Sequence, residues 1–262
     1  MTSFTSTRLT QPSQARSRLP SSKHFSTSVT ASADRPASNE KSPPPNGSPN
    51  IHPLRNTWVF WFRQQRAPGN KITNYEEGIK RISAFSSVES FWPLWTHLSP
   101  PSALQPTTDY LLFHQAIRRP VWEDPLNITG GKWIIRLKKG VADRIWEDLV
   151  LAMIGDQFDQ CRSPEEGGDV SASWEDSSDQ GSSELPEICG CTISVRQSED
   201  IVSLWNRVDG DVKVRERIRD TIRKVLHLPP TTIMEYKSNN DSMQDNSSFR
   251  NSAIDRTPLS AS

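Results

Sequence analysis

Residues 120–137, which run PVWEDPLNITGGKWIIRL, decide the fold prediction because a turn-rich loop leads there directly into a strand. Trp122 offers a π surface for a flat, preferably cationic group, and the carboxylate of Glu123 can accept two hydrogen bonds. The glycines at 130–131 predict a tight turn, and residues 132–137 alternate like a half-buried strand. The stretch predicts a slot for a charged base, although a Trp beside an acid is also typical of an ordinary interfacial aromatic.

Charge and composition restrict the kind of binding that this chain can carry out. Lys plus Arg and Asp plus Glu number 31 each among 262 residues, so no global field attracts nucleic acid and any charge-driven binding must be local. All nine Trp residues lie between positions 58 and 205, and eight of them lie outside the acidic segment 162–187. That number exceeds what a core of this size usually needs, which favours a functional use for some of them.

Cysteine usage and the N-terminus indicate the compartment. The chain has three cysteines, Cys161, Cys189 and Cys191, and an odd number does not indicate a disulfide framework. No His lies nearby to complete a zinc site, so we expect reduced thiols in a cytoplasmic protein. Residues 1–29 are basic and rich in Ser and Thr, which is also the composition of a mitochondrial transit peptide. Because helical apolar periodicity is weak there, a disordered tail is the favoured interpretation. No apolar run approaches membrane-spanning length.

The composition divides the chain into a domain and polar segments. Residues 1–50 and 238–262 are polar and predict disordered tails, and residues 51–237 predict one domain. Residues 162–187 interrupt the domain with Ser, Gly, Glu and Asp, which predicts a disordered acidic loop. Between these segments, patterns of period 2 and 3.6 predict strands, a helix, strands, a helix, strands, a helix and a strand. This order favours an α+β fold with helices on one face of an antiparallel sheet.

An enzymatic function is disfavoured by the same residues. Glu123 and Asp124 are neighbours on an extended chain and point to opposite faces, so the two carboxylates do not converge on one bond. The Gly-Gly-Lys sequence at 130–132 lacks the Ser or Thr that a phosphate-binding loop requires. No nucleophile with a matching base stands out, and we expect no catalytic residues, cofactor or metal.

Ordered motifs carry a resemblance to a known family. They are His52-Pro53-Leu54, Trp58-x-x-Trp61-Phe62, Val88-Glu89-Ser90-Phe91-Trp92, Trp122-Glu123-Asp124, Gly130-Gly131-Lys132-Trp133, Ile154-Gly155-Asp156, Ser194-Val195-Arg196, Leu204-Trp205 and Leu228-Pro229-Pro230. In this order they resemble the cap-binding translation initiation factor 4E family, and residues 130–137 and 232–237 resemble its second class, the 4E-homologous protein. The resemblance implies a cupped-hand fold, a curved eight-stranded antiparallel sheet backed by three helices on its convex face.

The resemblance also implies a ligand, the 7-methylguanosine cap of messenger RNA, held on the concave face. Stacking by Tyr75 and Trp122 would gain cation–π attraction, since methylation at N7 makes the base cationic. Glu123 would bind the guanine edge with charge-assisted hydrogen bonds. The remaining implied site residues are Trp205 at the methyl group, and Arg196 and Lys132 at the phosphates.

On the convex face, the resemblance implies a surface for helical partners that carry a Tyr-x-x-x-x-Leu-apolar motif. The matching residues are His52, Pro53, Leu54, Val88, Trp92 and Leu151. A partner surface explains an exposed Trp92, whereas the alternative is that Trp92 belongs to the core. Glu147 replaces an apolar residue of the founding class at this surface.

These expectations lead to a monomeric, non-enzymatic protein that binds capped mRNA and regulates translation, most simply as a repressor-type competitor for the cap. Tyr75 and Ile201 replace a Trp and a phosphate-binding Lys of the founding class, which predicts weaker cap affinity. One alternative is an active initiation factor that recruits the large initiation scaffold. A more distant alternative is a partner-binding scaffold that has lost the cap.

Overall fold

The strands form one antiparallel sheet in the computed structural model, which describes residues 51–64, 78–162, 185–247 and the backbone of 253–255. They are β1 (Pro53–Gln64), β2 (Ile79–Ser87), β3 (Thr108–His114), β4 (Gly131–Lys138), β5 (Ile188–Val195), β6 (Glu199–Asn206), β7 (Met234–Ser238) and β8 (Ala253–Asp255). Their order in the sheet is β2-β1-β3-β5-β6-β4-β7-β8, and every neighbouring pair is antiparallel. The predicted antiparallel α+β architecture is confirmed.

Four α-helices lie in the described part of the chain, so the expected number of three is wrong. They are α1 (Val88–His97), α2 (Ala142–Ile154), α3 (Val212–Val225) and α4 (Asn239–Gln244). Ser87 begins α1 with a capping box that Ser90 completes, and Asp211 caps α3 by accepting from the N–H groups of Lys213 and Val214. None of the described helices has the length and apolar character needed to cross a membrane.

The two faces of the sheet bury different clusters. On the helix side, alternate residues of the strands, such as Phe60 and Leu112, pack with Phe91 of α1, Trp146 of α2 and Ile218 of α3. On the opposite face, which we call the loop side, Leu111, Phe113, Ile117, Cys189 and Trp205 form a smaller cluster, against which Trp61, Trp122 and Leu126 pack. Alternation along β3 and β6 therefore places aromatic residues on both faces.

A β-bulge in β5 separates two of the three buried free cysteines. The register between β5 and β6 shifts between Ile188 and Gly190. As a result, Ile188 and Cys191 both belong to the helix-side core, while Cys189 belongs to the loop-side cluster. A side chain at Gly190 would overlap the Leu112 carbonyl oxygen of β3, so the strands approach closely where the bulge lies.

The prediction of a disordered tail from residue 238 is wrong for α4 and β8. Ser238 caps α4 by accepting from the N–H of Asp241, and the fully buried Asn239 donates from Nδ2 to the Asn127 carbonyl oxygen at 2.7 Å. Lys237 Nζ pairs with Asp245 at 2.8 Å. Polar bonds rather than apolar burial fix this segment, so its composition resembled that of a disordered tail.

The predicted acidic loop is shorter than 162–187, since its ends belong to the domain. Arg162 Nη2 donates to the Leu185 carbonyl oxygen at 2.9 Å and joins the two ends. Glu187 is buried, and its Oε1 accepts from Asn206 Nδ2 at 3.4 Å and from Val208 N at 3.2 Å. Residues 163–184, like 1–50, lie outside the described residues.

Gly130 ends a turn by donating its N–H to the Asn127 carbonyl oxygen at 2.9 Å, and the Gly130-Gly131 pair also allows a close approach to the neighbouring strands. A side chain at Gly130 would overlap the Asn206 carbonyl oxygen, and one at Gly131 would overlap the Tyr236 hydroxyl group. Neither glycine has a positive φ. The absence of side chains lets β4 fit between β6 and β7 directly after the Trp122 loop.

Gly130→Ala is therefore expected to destabilise the domain by more than about 2 kcal/mol, because the new methyl group must displace backbone atoms. Gly210→Ala is the matched control, since a Cβ at Gly210 meets no atom within 4 Å. Urea unfolding of both variants measures the difference. Equal stability of the two variants would contradict the packing argument.

Candidate functional site

The loop that carries Trp122 is fixed by two buried polar side chains. Asp124 accepts from the N–H of Arg119 at 3.1 Å and from that of Leu126 at 3.0 Å. Asn127 donates from Nδ2 to the Val121 carbonyl oxygen at 2.7 Å. These bonds replace those of regular secondary structure, so the loop holds Trp122 in a defined position above the sheet.

Two of the predicted aromatic residues meet on the loop side. Trp205 is 5% exposed and packs edge-to-face on Phe113, with ring centres 5.3 Å apart. Trp122 is half-buried and packs against the same cluster. The structure thus brings Trp122 and Trp205 together, and Tyr75 lies outside the described residues.

Lys132 lies between these two indole rings. Its Nζ is 4.5 Å from the Trp205 ring centre and 5.7 Å from that of Trp122, within the range of cation–π attraction. Lys132 is only 1% exposed, and burial, together with the charge of Lys237, lowers its pKa from 10.5 to about 7. The site therefore already places a cation against aromatic faces.

Glu123 is exposed on the same loop, directly beside Trp122. Among the described residues it has no hydrogen-bond partner, in contrast to Asp124, whose carboxylate is buried and bound to backbone N–H groups. The Glu123 carboxylate is thus the one of the two that can accept hydrogen bonds from a ligand edge.

Arg196 lies at the far end of the β5–β6 hairpin from Trp205. Its Nη1 is 2.9 Å from Oδ1 of the buried Asp109, whose Oδ2 is 2.9 Å from Nη1 of Arg63. The prediction included Arg196 but missed Arg63 and Asp109. Only the pairing of β1 with β3 reveals these two residues, because it makes Arg63 and Asp109 direct cross-strand partners.

On the helix side, the structure brings the first residues of β1 to the start of α1. Val88 N donates to the His52 carbonyl oxygen at 3.0 Å, and Pro53 pairs with Ser87. His52 Nδ1 lies 2.7 Å from Glu89 Oε1, and this hydrogen bond lowers the Glu89 pKa to about 2.

The remaining residues of the predicted partner surface differ in exposure. Trp92 is 42% exposed and Val88 is also exposed, so Trp92 is not a core residue. Leu54 and Leu151 are partly buried and pack against the helix-side core. An exposed indole beside exposed and half-buried apolar residues forms an apolar surface of the kind that partner proteins cover.

This fold and site define a class: α+β proteins with an aromatic slot on the sheet face opposite the helices. Residues 53–254 match the family described as Eukaryotic initiation factor 4E, and the chain belongs to this family. The chain is 44% identical over 201 residues to Eukaryotic translation initiation factor NCBP of Triticum aestivum, covering 77% of this chain and 75% of that protein. It is 38% identical over 199 residues to Eukaryotic translation initiation factor 4E-4 of Caenorhabditis elegans, covering 76% and 82%.

Solved structures agree with this membership. The complex of C. elegans eIF4E-3 with the 4E-binding protein Mextli and cap analog gives a TM-score of 0.61 at 32% identity, covering 74% of this chain and 96% of that chain. The complex of Ascaris suum eIF4E-3 with m7G cap gives a TM-score of 0.58 at 30% identity, covering 72% and 91%. The similarities are consistent with a divergent, second-class-like member of the family.

The buried Lys132 predicts a pH-dependent stability. In the unfolded chain its pKa returns to 10.5, so between about pH 7 and 10.5 the folded state binds fewer protons than the unfolded state. The cost of burying Lys132 is full below about pH 7 and falls above it by about 1.4 kcal/mol per pH unit. Lys132→Met should therefore exceed the wild type in free energy of unfolding at pH 6.5, with a smaller advantage at pH 9.

Urea unfolding at the two pH values measures this advantage. Lys138→Met, at the exposed far end of β4, is the control and should show no comparable change. An advantage of Lys132→Met that stays constant with pH would contradict the lowered pKa.

Proposed function

We propose that this protein binds the 7-methylguanosine 5′ cap of messenger RNA and regulates translation in the cytoplasm. The observation that carries the proposal is the cation–π geometry at Trp122 and Trp205, whose rings both lie within 6 Å of one cation, Lys132 Nζ. Methylation at N7 gives guanine the positive charge that such a site prefers, and unmethylated guanine lacks this charge. The C. elegans and A. suum complexes with cap analog and m7G cap support the same ligand for this chain.

The rest of the loop side supports an extended ligand. The exposed Glu123 is adjacent to Trp122, where a carboxylate can bind the donor edge of guanine. Trp205 lies five positions along β6 from Asp200, the partner of Val195, which corresponds to about 17 Å along the strand. An extended nucleoside triphosphate can bridge this span, so that its base contacts Trp205 while one of its phosphates contacts Arg196.

The phosphate grip supports a repressor-type competitor for the cap rather than an active initiation factor. Ile201 is buried on β6, where the resemblance implies a cation in the founding class. Arg136, its direct partner on β4, is paired with Glu199 and Glu235. Arg196 is the predicted phosphate-binding residue at this end of the site, and its ion pair with Asp109 neutralises part of its charge. Both features predict weaker cap binding than in the founding class.

A catalytic role is not part of the proposal. Glu123 is exposed while Asp124 is buried and fixed by backbone N–H groups, so the two carboxylates do not act on a common bond. A monomer that binds capped mRNA without transforming it accounts for the site.

The cap proposal is tested by titrating 7-methylguanosine triphosphate against intrinsic Trp fluorescence, with GTP as the unmethylated ligand. Trp122→Ala should weaken binding at least about tenfold, because stacking of a base on an aromatic ring contributes about 1–3 kcal/mol. Trp92→Ala removes an indole from the other face and is the matched control. Equal quenching by GTP, or full affinity in Trp122→Ala, would mean that the slot does not bind the cap.

We further propose that the helix side binds helical proteins with a Tyr-x-x-x-x-Leu-apolar motif. The exposed Trp92 and Val88 support this role, as does the complex of C. elegans eIF4E-3 with Mextli. Glu147 lines a neighbouring cavity of about 340 Å³ together with Trp95, Leu98 and Trp146. Asp143 and Arg144 also line this cavity, and Arg144 is paired with Asp148, so the lining has an excess of carboxylates and predicts partners with a basic residue next to the apolar anchor.

A peptide with this motif should bind wild-type protein, and Trp92→Ala should weaken it at least about fivefold because a Trp at the centre of an interface is a typical hot spot. Fluorescence anisotropy of a labelled peptide measures the change. Trp122→Ala is the control and should leave peptide affinity unchanged. Recovery of the large initiation scaffold from lysate at the level of a founding-class factor would favour the active factor over the repressor.

A further inference from the structure

The position of Lys132 differs from that of a residue that only contacts phosphate. On β4 it pairs with Trp205 of β6 and Lys237 of β7, at the same end of the sheet as the Trp122 loop. Arg196, which marks the phosphate end, follows β5 at the other end of these strands. The Lys132 ammonium group is therefore in the base-binding part of the site.

Lys132 and a methylated base compete for the same aromatic faces. The ammonium group lies 4.5 Å from the Trp205 ring centre and 5.7 Å from the Trp122 ring centre. A 7-methylguanine ring that stacks on Trp122 is also a cation and needs those faces. Two positive charges a few ångströms apart in a partly desolvated site repel each other, so both cannot occupy the slot.

The surroundings of Lys132 favour its departure when an anion is near. The neighbouring Lys237 has a fully buried side chain and is paired with Asp245 after α4. Glu235, two residues away on β7, is paired with Arg136. Glu123 on the loop is exposed. Burial and the charge of Lys237 both disfavour the Lys132 ammonium group. Movement toward a phosphate relieves both costs.

We propose that Lys132 is a specificity-determining residue that fills the aromatic slot of the ligand-free protein and leaves it only when the phosphates of the ligand attract its charge. This inference rests on the proposed cap-binding function. It makes base binding conditional on phosphate, so the protein rejects the free methylated nucleoside more strongly than stacking alone would predict.

The experiment compares 7-methylguanosine, which has no phosphate, with 7-methylguanosine triphosphate in fluorescence titrations at pH 6.5, below the lowered pKa of Lys132, where the ammonium group is mostly charged. Lys132→Met should bind the nucleoside at least about fivefold more tightly than the wild type does, since the competing cation–π contact is gone. The same variant should bind the triphosphate equally or more weakly, because a phosphate-seeking charge is lost. Lys132→Gln should repeat both changes, and Lys224→Met, exposed on α3 of the helix side, should change neither affinity.

Each outcome separates the inference from the function on which it rests. Nucleoside affinity that is unchanged or weaker in both Lys132 variants would make Lys132 a simple phosphate contact and overturn the inference, with cap binding intact. Wild-type binding of neither ligand, together with nucleoside binding by Lys132→Met, would contradict the release of Lys132 by phosphate and overturn the inference. Failure of every variant to bind either ligand would reject both the inference and the cap-binding function.

Discussion

Buried hydrogen bonds made by two asparagines, Asn127 and Asn239, hold the functional loop to the sheet, and the site depends on them. Asn239 donates through its side chain to the Asn127 carbonyl oxygen at 2.7 Å and through its backbone to the Gly130 carbonyl oxygen at 2.9 Å. Asn127 in turn holds Val121, next to Trp122. A buried polar group is costly unless it is bonded, so these residues fix one arrangement of loop, strand and α4. The C-terminal helix is therefore part of the site.

Sequence patterns predicted the elements that bury apolar residues at regular intervals. The 3.6-residue period of α1 and α2 appears in the sequence because each helix faces one core, while β4 and β5 are recognisable as short runs of apolar residues buried on both faces of the sheet. α4 was missed because its buried residues, Asn239 and Ser242, are polar and gain their stability from partners distant in sequence. The close packing at Gly130-Gly131 was missed for the same reason, because the atoms that require glycine belong to Asn206 and Tyr236, which are distant in sequence.

The site was predictable in its residue types but not in its geometry. Trp122 and Glu123 stand out because an indole and an acid share one loop, and Trp205 and Arg196 came from the family resemblance. The burial of Lys132 depends on the pairing of β4 with β6 and β7, and the pairing with β7 places Lys237 directly beside it. The link from Arg63 through Asp109 to Arg196 likewise exists only across three strands.

The bond from Arg162 to the Leu185 carbonyl oxygen joins residues 23 positions apart and fastens both ends of the acidic segment at one point. The entropy of closing a loop grows only slowly with its length, so the fold is nearly indifferent to how much chain lies between these anchors. This point of the domain follows the short helical turn Asp159–Cys161 after α2, and it therefore suits an insertion. A fluorescent reporter or an extra recognition module inserted there would leave the slot and the exposed Trp92 unchanged, and natural variation in length is expected to concentrate at the same place.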